Sequence, residues 1–205
     1  MELYVTFTSP YARLARIVVL EKGLQDRVEV IAAQTRVADS PYYKINPSGR
    51  VPYLIDDAGV GMEDSALICA YLDNLDGAPR LHRLVSEQDW SYGQLEARTR
   101  SLCDGVSVWV REMRRPANER SPTVLAHEIA RGLRLATLFE SEVTSPLLQG
   151  PPRMAHLVLT AALDFARTSG FGDLTEGRPN LATWLARLHA LPSVQSTAKP
   201  PAQSG

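Results

Sequence analysis

Leu3-Tyr4-Val5-Thr6-Phe7-Thr8-Ser9-Pro10-Tyr11 is the stretch on which the fold turns, because two kinds of local structure meet inside it. Its first five residues are aromatic and β-branched and predict a strand. Ser9-Pro10 then has the chemistry of a helix start, with serine suited to the N-cap and proline to the first turn. From Ala12 to Leu20 the apolar residues Leu14, Ala15, Ile17, Val18 and Val19 form a wide arc, so this helix is expected to be covered on more than one side. Gly23 is placed to stop it. Val28-Glu29-Val30-Ile31 predicts a second strand, and strand, helix, strand at this spacing is a parallel unit with a right-handed crossover.

Downstream, residues 40–45 read as a short helix or turn, and Asn46-Pro47-Ser48-Gly49 is strong turn chemistry. Pro52-Tyr53-Leu54-Ile55 is a short strand, and Val60 to Met62 completes a hairpin with it. A helix then starts near Asp64-Ser65, with Ile68, Tyr71, Leu72 and Leu75 on one face. The order β-α-β-α-β-β-α is that of a thioredoxin-like α/β domain, expected over residues 1–77. Gly77-Ala78-Pro79 breaks the pattern, and residues 78–85 are expected to be a linker.

The rest reads as an all-α domain over residues 86–197. Ser86 and Asp89 resemble a capping box. Leu95, Leu102, Val106, Trp109 and Met113 mark one face of a long helix. Ser121-Pro122 opens a second helix carrying Ala126, Ile129, Ala130 and Leu133 at helical spacing. Pro151-Pro152 precedes a third with Met154, Leu157, Val158, Ala161 and Phe165. A fourth carries Leu181, Trp184, Leu185 and Leu188 and stops by Pro192. Residues 198–205 have the composition of a frayed tail.

Composition narrows the chemistry. The 205 residues carry 22 basic and 23 acidic side chains, a formal net charge of −1, so no general field draws nucleic acid or an anionic membrane to the chain. Its two cysteines, Cys69 and Cys103, lie in apolar helical stretches and form no C-x-x-C pair, so buried thiols are expected. His82, His127, His156 and His189 are scattered without metal-ligand spacing, so no metal is expected. Met1-Glu2-Leu3-Tyr4-Val5 lacks a signal-peptide pattern and no apolar run approaches membrane-spanning length, which makes a cytoplasmic location the expectation.

Three segments, in order and at this spacing, resemble the glutathione transferase family. They are Ser9-Pro10-Tyr11 at a strand-to-helix turn, Asn46-Pro47-Ser48-Gly49-Arg50-Val51-Pro52, and Asp64-Ser65 running into Ile68-x-x-Tyr71-Leu72. Arg178-Pro179-Asn180-Leu181-x-x-Trp184 and Leu191-Pro192-Ser193-Val194 are similar to the C-terminal helical domain of that family. The resemblance implies glutathione as co-substrate, an apolar electrophile as second substrate and a homodimer. It implies that Ser9 donates its hydroxyl to the glutathione sulfur, that Val51-Pro52 with a cis bond presents backbone groups to the cysteinyl unit, and that Asp64 and Ser65 hold the γ-glutamyl end. Arg50 would pair with the glycyl carboxylate, and Val108, Trp109 and Arg111 would line the electrophile pocket. Tyr11 and Thr8 are further candidate hydroxyls.

Each of these residues has a plainer reading too. Ser-Pro starts a helix whatever the function, Tyr11 suits aromatic packing, Pro52 suits the start of an edge strand, and Asp64-Ser65 suits an N-cap. Arg50 suits an exposed turn, and Trp109 with its neighbours suits a helical core. Isomerisation, dehalogenation, ether cleavage or peroxide reduction would use the same glutathione site, as would a non-catalytic binding protein. One departure concerns the third helix of the helical domain: the family often opens it with Ser-x-x-Asp, whereas this chain has Arg153 and His156 after two prolines.

Overall fold

In the computed structural model, residues 1–76, 79–82, 90–170 and 172–198 are described. The chain divides into two units, Met1–His82 together with the chain from Pro192, and Arg83–Leu191. Half of the expected linker, residues 78 and 83–85, lies outside the described residues, as do the Ser86–Asp89 capping box and all but the first residue of the expected tail.

The first unit has a four-stranded sheet in the order β2-β1-β3-β4. Its elements are β1 (Glu2–Val5), α1 (Pro10–Glu21), β2 (Glu29–Ala32), α2 (Tyr42–Ile45), β3 (Tyr53–Ile55), β4 (Gly61–Glu63) and α3 (Ser65–Asn74). Strands β1 and β2 are parallel, while β3 runs antiparallel to both β1 and β4. The predicted first strand is shorter than its apolar run because a turn follows it, in which the Ser9 N–H donates to the Thr6 carbonyl at 3.2 Å. Leu3, Val5 and Leu54 of the sheet are fully buried, as are Ala12, Ala15, Ile17 and Val18 of α1 and Ile68, Cys69 and Leu72 of α3. The wide apolar arc of α1 therefore has its expected consequence: this helix is covered by sheet and helix together. Alternation in β1 and the helical period in α1 and α3 direct these residues to one core.

The second unit holds α4 (Ser91–Met113), a 3-10 turn (Ala117–Glu119), α5 (Pro122–Glu142), α6 (Met154–Thr168) and α7 (Pro179–His189). Helix α6 is buried along nearly its whole length, from Met154 to Ala166, and packs against α4 and α7. The four apolar residues expected to mark the face of α7 are all buried.

Two expectations change. On α5 the buried residues are Glu128, Gly132, Ala136 and Phe139, whereas Ala126 and Leu133 of the predicted arc are exposed. The reason lies opposite, on α4. Gly105 has no side chain, and a Cβ there would stand 2.8 Å from Arg131 Nε and 3.0 Å from Glu128 Oε2. The space admits a hydrogen-bonded charge pair, Arg131 Nε donating to Glu128 at 2.8 Å, and that pairing makes its burial tolerable. The second change is at the C-terminus. The expected helical domain ran to residue 197, but α8 (Pro192–Ser196) packs with the first unit, against α1. Ser193, Val194 and Thr197 are buried there.

Candidate functional site

Strand register brings three separate segments to one end of the sheet. Tyr4 pairs with Tyr53, and Tyr53 pairs with Glu63. The end of β1, which leads to Ser9, therefore lies beside the start of β3, which follows Val51-Pro52. That start in turn lies beside the end of β4, which leads to Asp64-Ser65.

Ser9 is the N-cap of α1, with φ −82° and ψ 126°. Its Oγ accepts from the Ala12 N–H at 3.3 Å, which spends a lone pair and leaves the hydroxyl hydrogen to donate elsewhere. Pro10 occupies the first helical position, where its missing N–H costs nothing. Ser9 and Tyr11 are half-buried, and Thr8 is exposed.

The Val51-Pro52 peptide is cis. The loop before it is tied down by polar contacts that the sequence did not advertise. Tyr42 Oη donates to the Arg50 carbonyl, and Asn46 Nδ2 donates to the same carbonyl at 3.0 Å. Burial pushes the Tyr42 phenol above its ordinary pKa, keeping it protonated as a donor. Ser48 Oγ donates to the Glu63 carboxylate, and the Ser48 N–H donates to Asn46 Oδ1 at 3.1 Å. Glu63 immediately precedes Asp64, so this carboxylate links the 46–52 loop to the third segment. Gly49 has φ +65°, and a Cβ there would stand 2.8 Å from the Tyr43 ring, so the turn requires glycine twice over. Turn composition pointed to residues 46–49, but nothing in sequence marked Tyr42 and Glu63 as their partners.

Asp64 is the N-cap of α3, and its Oδ1 accepts from the N–H groups of Ala66 and Leu67 at 2.8 and 3.2 Å. Its φ of 77° lies where non-glycine residues rarely sit, a strain of about 1–3 kcal/mol that tends to gather at binding sites. Ser65 is half-buried on the first turn of α3. The Arg50 side chain is exposed, and its N–H donates to Ser48 Oγ at 3.2 Å.

The three candidate pocket residues all lie on α4 of the second unit. Trp109 is buried and closes on Gly172, where a Cβ would stand 2.9 Å from its ring. Val108 is half-buried. Arg111 is exposed and folds back on its own helix, its Nε donating to the Ser107 carbonyl at 3.1 Å. Cys69 and Cys103 are buried thiols. Among the described residues no group of three or more His, Cys, Asp or Glu is placed to hold a metal, and no helix is long and apolar enough to cross a membrane.

Residues 3–80 match the family model described as glutathione S-transferase, N-terminal domain. Over 207 aligned residues the chain is 27% identical to an uncharacterized GST-like protein, YibF, of Escherichia coli K12, covering 98% of this chain and all of the relative. A glutathione S-transferase from Methylobacillus flagellatus KT, solved with glutathione bound, superposes with a TM-score of 0.87 at 24% identity, covering 97% of this chain and 99% of the other. A glutathione transferase family member from Pseudomonas fluorescens Pf-5, also with bound glutathione, gives 0.85 at 23% identity, covering 98% and 99%. Residues 3–80 thus match the glutathione S-transferase N-terminal domain model, and the chain shares the fold of these solved structures along its length.

Proposed function

We propose that this protein binds glutathione at the sheet end formed by Ser9, Val51-Pro52 and Asp64-Ser65, and transfers the glutathione thiolate to small apolar electrophiles. The observation that carries the reading is Ser9: its Oγ is held by the Ala12 N–H, so its own hydrogen is left to donate at the start of a helix. A free thiol has a pKa of about 8.5, and each unit of lowering corresponds to about 1.4 kcal/mol of preference for the thiolate. One hydroxyl donor and the positive end of α1 are the right size to supply such a unit.

In the reaction the thiol proton leaves to solvent and the sulfur lone pair forms a bond to the electrophilic carbon. The electron pair displaced from that carbon departs with a leaving group or takes up a proton. Ser9 holds the sulfur and is not itself the nucleophile. The first-turn N–H of Ser65 suits the γ-glutamyl carboxylate. The second oxygen of Asp64, which takes no hydrogen bond from the described residues, suits the ammonium. Main-chain groups of Val51 take the cysteinyl unit, Arg50 the glycyl carboxylate, and Tyr11 flanks the thiol.

A cytoplasmic homodimer is part of this reading. Large apolar side chains stand exposed on both units, Val60 and Leu67 on the first and Leu133 and Leu138 on the second, and are candidates for burial in such a dimer. Titration calorimetry with glutathione tests the site, and absence of binding up to ~10 mM overturns it. Sedimentation tests the dimer. Turnover assays over panels of electrophiles and peroxides separate conjugation from the other glutathione-dependent reactions and from a non-catalytic binding role.

A further inference from the structure

The helix that presents Ser9 is braced by the opposite end of the chain. Arg13 lies one turn beyond Ser9, and its backbone N–H donates to the Ser9 carbonyl at 2.9 Å, the first hydrogen bond of α1. Its guanidinium is buried, 8% exposed, and donates to the Val194 carbonyl of α8 at 3.2 Å. Two turns along α1, the Glu21 carboxylate accepts from Ser193 Oγ. Thr197 closes α8, its Oγ1 donating to the Ser193 carbonyl at 2.7 Å. The returning chain thus grips α1 near both of its ends.

We propose that Arg13 is a positioning residue for the Ser9 thiol site, acting through its bond to α8. The inference rests on the glutathione reading above. Its physical basis is that the first turn of a helix is the part most prone to fray, since its N–H groups lack intrahelical partners. The Ser9 hydroxyl is directed only as long as the Ala12 N–H holds its oxygen. A buried arginine on that turn, anchored to a separate segment, raises the cost of opening it.

The test is made in the full-length protein with Arg13→Met, Arg13→Lys and Ser193→Ala. Two readouts are taken: hydrogen exchange of the amides at positions 12 and 13 relative to that of Val18, and the pKa of the glutathione thiol bound to each variant, followed by thiolate absorbance. Arg13→Met is expected to speed first-turn exchange about tenfold and to raise the bound-thiol pKa by about half a unit or more. Arg13→Lys, which keeps a charged donor, is expected to restore most of both. If Arg13→Met also releases Val18 and Leu54, the protein has unfolded globally and Ser193→Ala decides by the same two readouts, with a smaller shift in the same direction expected. An unchanged thiol pKa in the folded variants overturns the proposal alone, even where exchange quickens, because the brace is then structural only. A wild-type protein that shows no bound thiolate overturns it together with the glutathione reading, which the wild-type signal by itself distinguishes.

Discussion

His156 Nδ1 accepts a 3.3 Å hydrogen bond from the backbone N–H of Arg153, across the first turn of α6. A glutamate or glutamine ordinarily fills this role in a capping box. Arginine has donors only and cannot return the bond, but another N–H of the same turn is met from a neighbouring helix: the Tyr92 hydroxyl of α4 accepts from the Ala155 N–H at 3.1 Å. The His156 ring is 1% exposed and stacks on Trp184 with centroids 5.9 Å apart. A cap built from histidine works only while the imidazole is neutral.

That requirement gives a pH prediction. Burial first, then the charge of Arg187, pushes His156 down to about 4 from the ordinary 6.5. Between those values the unfolded chain holds the proton and the folded chain does not. The stability involved is therefore fully present above pH 6.5 and is lost as pH falls towards 4, by about 3 kcal/mol in total. Urea denaturation of wild type and His156→Gln across this window checks it. The variant is less stable at neutral pH but loses less on acidification. Parallel curves would show that His156 is not the titrating group.

Ser9→Ala should act twice. Losing the acceptor for the Ala12 N–H removes an N-cap and costs about 1 kcal/mol of stability. Losing the donor raises the pKa of the bound glutathione thiol by about one unit, with kcat/KM at neutral pH falling about tenfold or more. A thiol titration unchanged from wild type would remove Ser9 from the mechanism.

Asp73→Ala should be the most damaging of the single changes in the first unit. Lys22 Nζ lies 3.3 Å from Asp73 and 2.6 Å from Asp76, and donates to the Pro79 carbonyl at 2.7 Å. Asp73 is fully buried and accepts from the N–H groups of Leu81 and His82 at 3.0 and 2.9 Å. Burial works against its charge, but the bonds from Leu81, His82 and Lys22 prevail and hold its pKa below the ordinary value. Removing the carboxylate strands those donors beside a buried ammonium, at a cost of about 3–5 kcal/mol. Chemical denaturation measures it, and a loss below about 1 kcal/mol would contradict the assignment.

Glu140→Ala should loosen α7 specifically. The Glu140 carboxylate accepts from the Asn180 and Leu181 N–H groups at 3.0 and 2.8 Å, capping α7 from α5. Its loss is expected to cost about 1–2 kcal/mol. Faster hydrogen exchange at the first turn of α7, with α1 unaffected, is the local signature.

Much of the first unit could be read directly from neighbouring residues. Ser9-Pro10 starts α1, the turn chemistry of 46–49 precedes β3, and Asp64 caps α3, each through hydrogen bonds between residues two or three apart. The helical period likewise found the buried face of α7. Reading failed on α5, where apolar spacing chose Ala126 and Leu133 but a charge pair opposite Gly105 occupies the contact. It gave no partner for Ser48 or Ala155, because Glu63 and Tyr92 reach them only through the fold.

The sequence by itself therefore determined the order of strands and helices, the thioredoxin-like character of the first domain and the three segments of the candidate site, since backbone preference and side-chain period act over a few residues. Tertiary structure alone decided that β1, β3 and β4 bring those segments to one end of the sheet, that Tyr92 and His156 together cap α6, and that the final helix returns to brace Arg13. The physical reason is separation along the chain. Arg13 and Val194 stand 181 residues apart, and no local preference specifies a hydrogen bond of that span until the chain between them has folded.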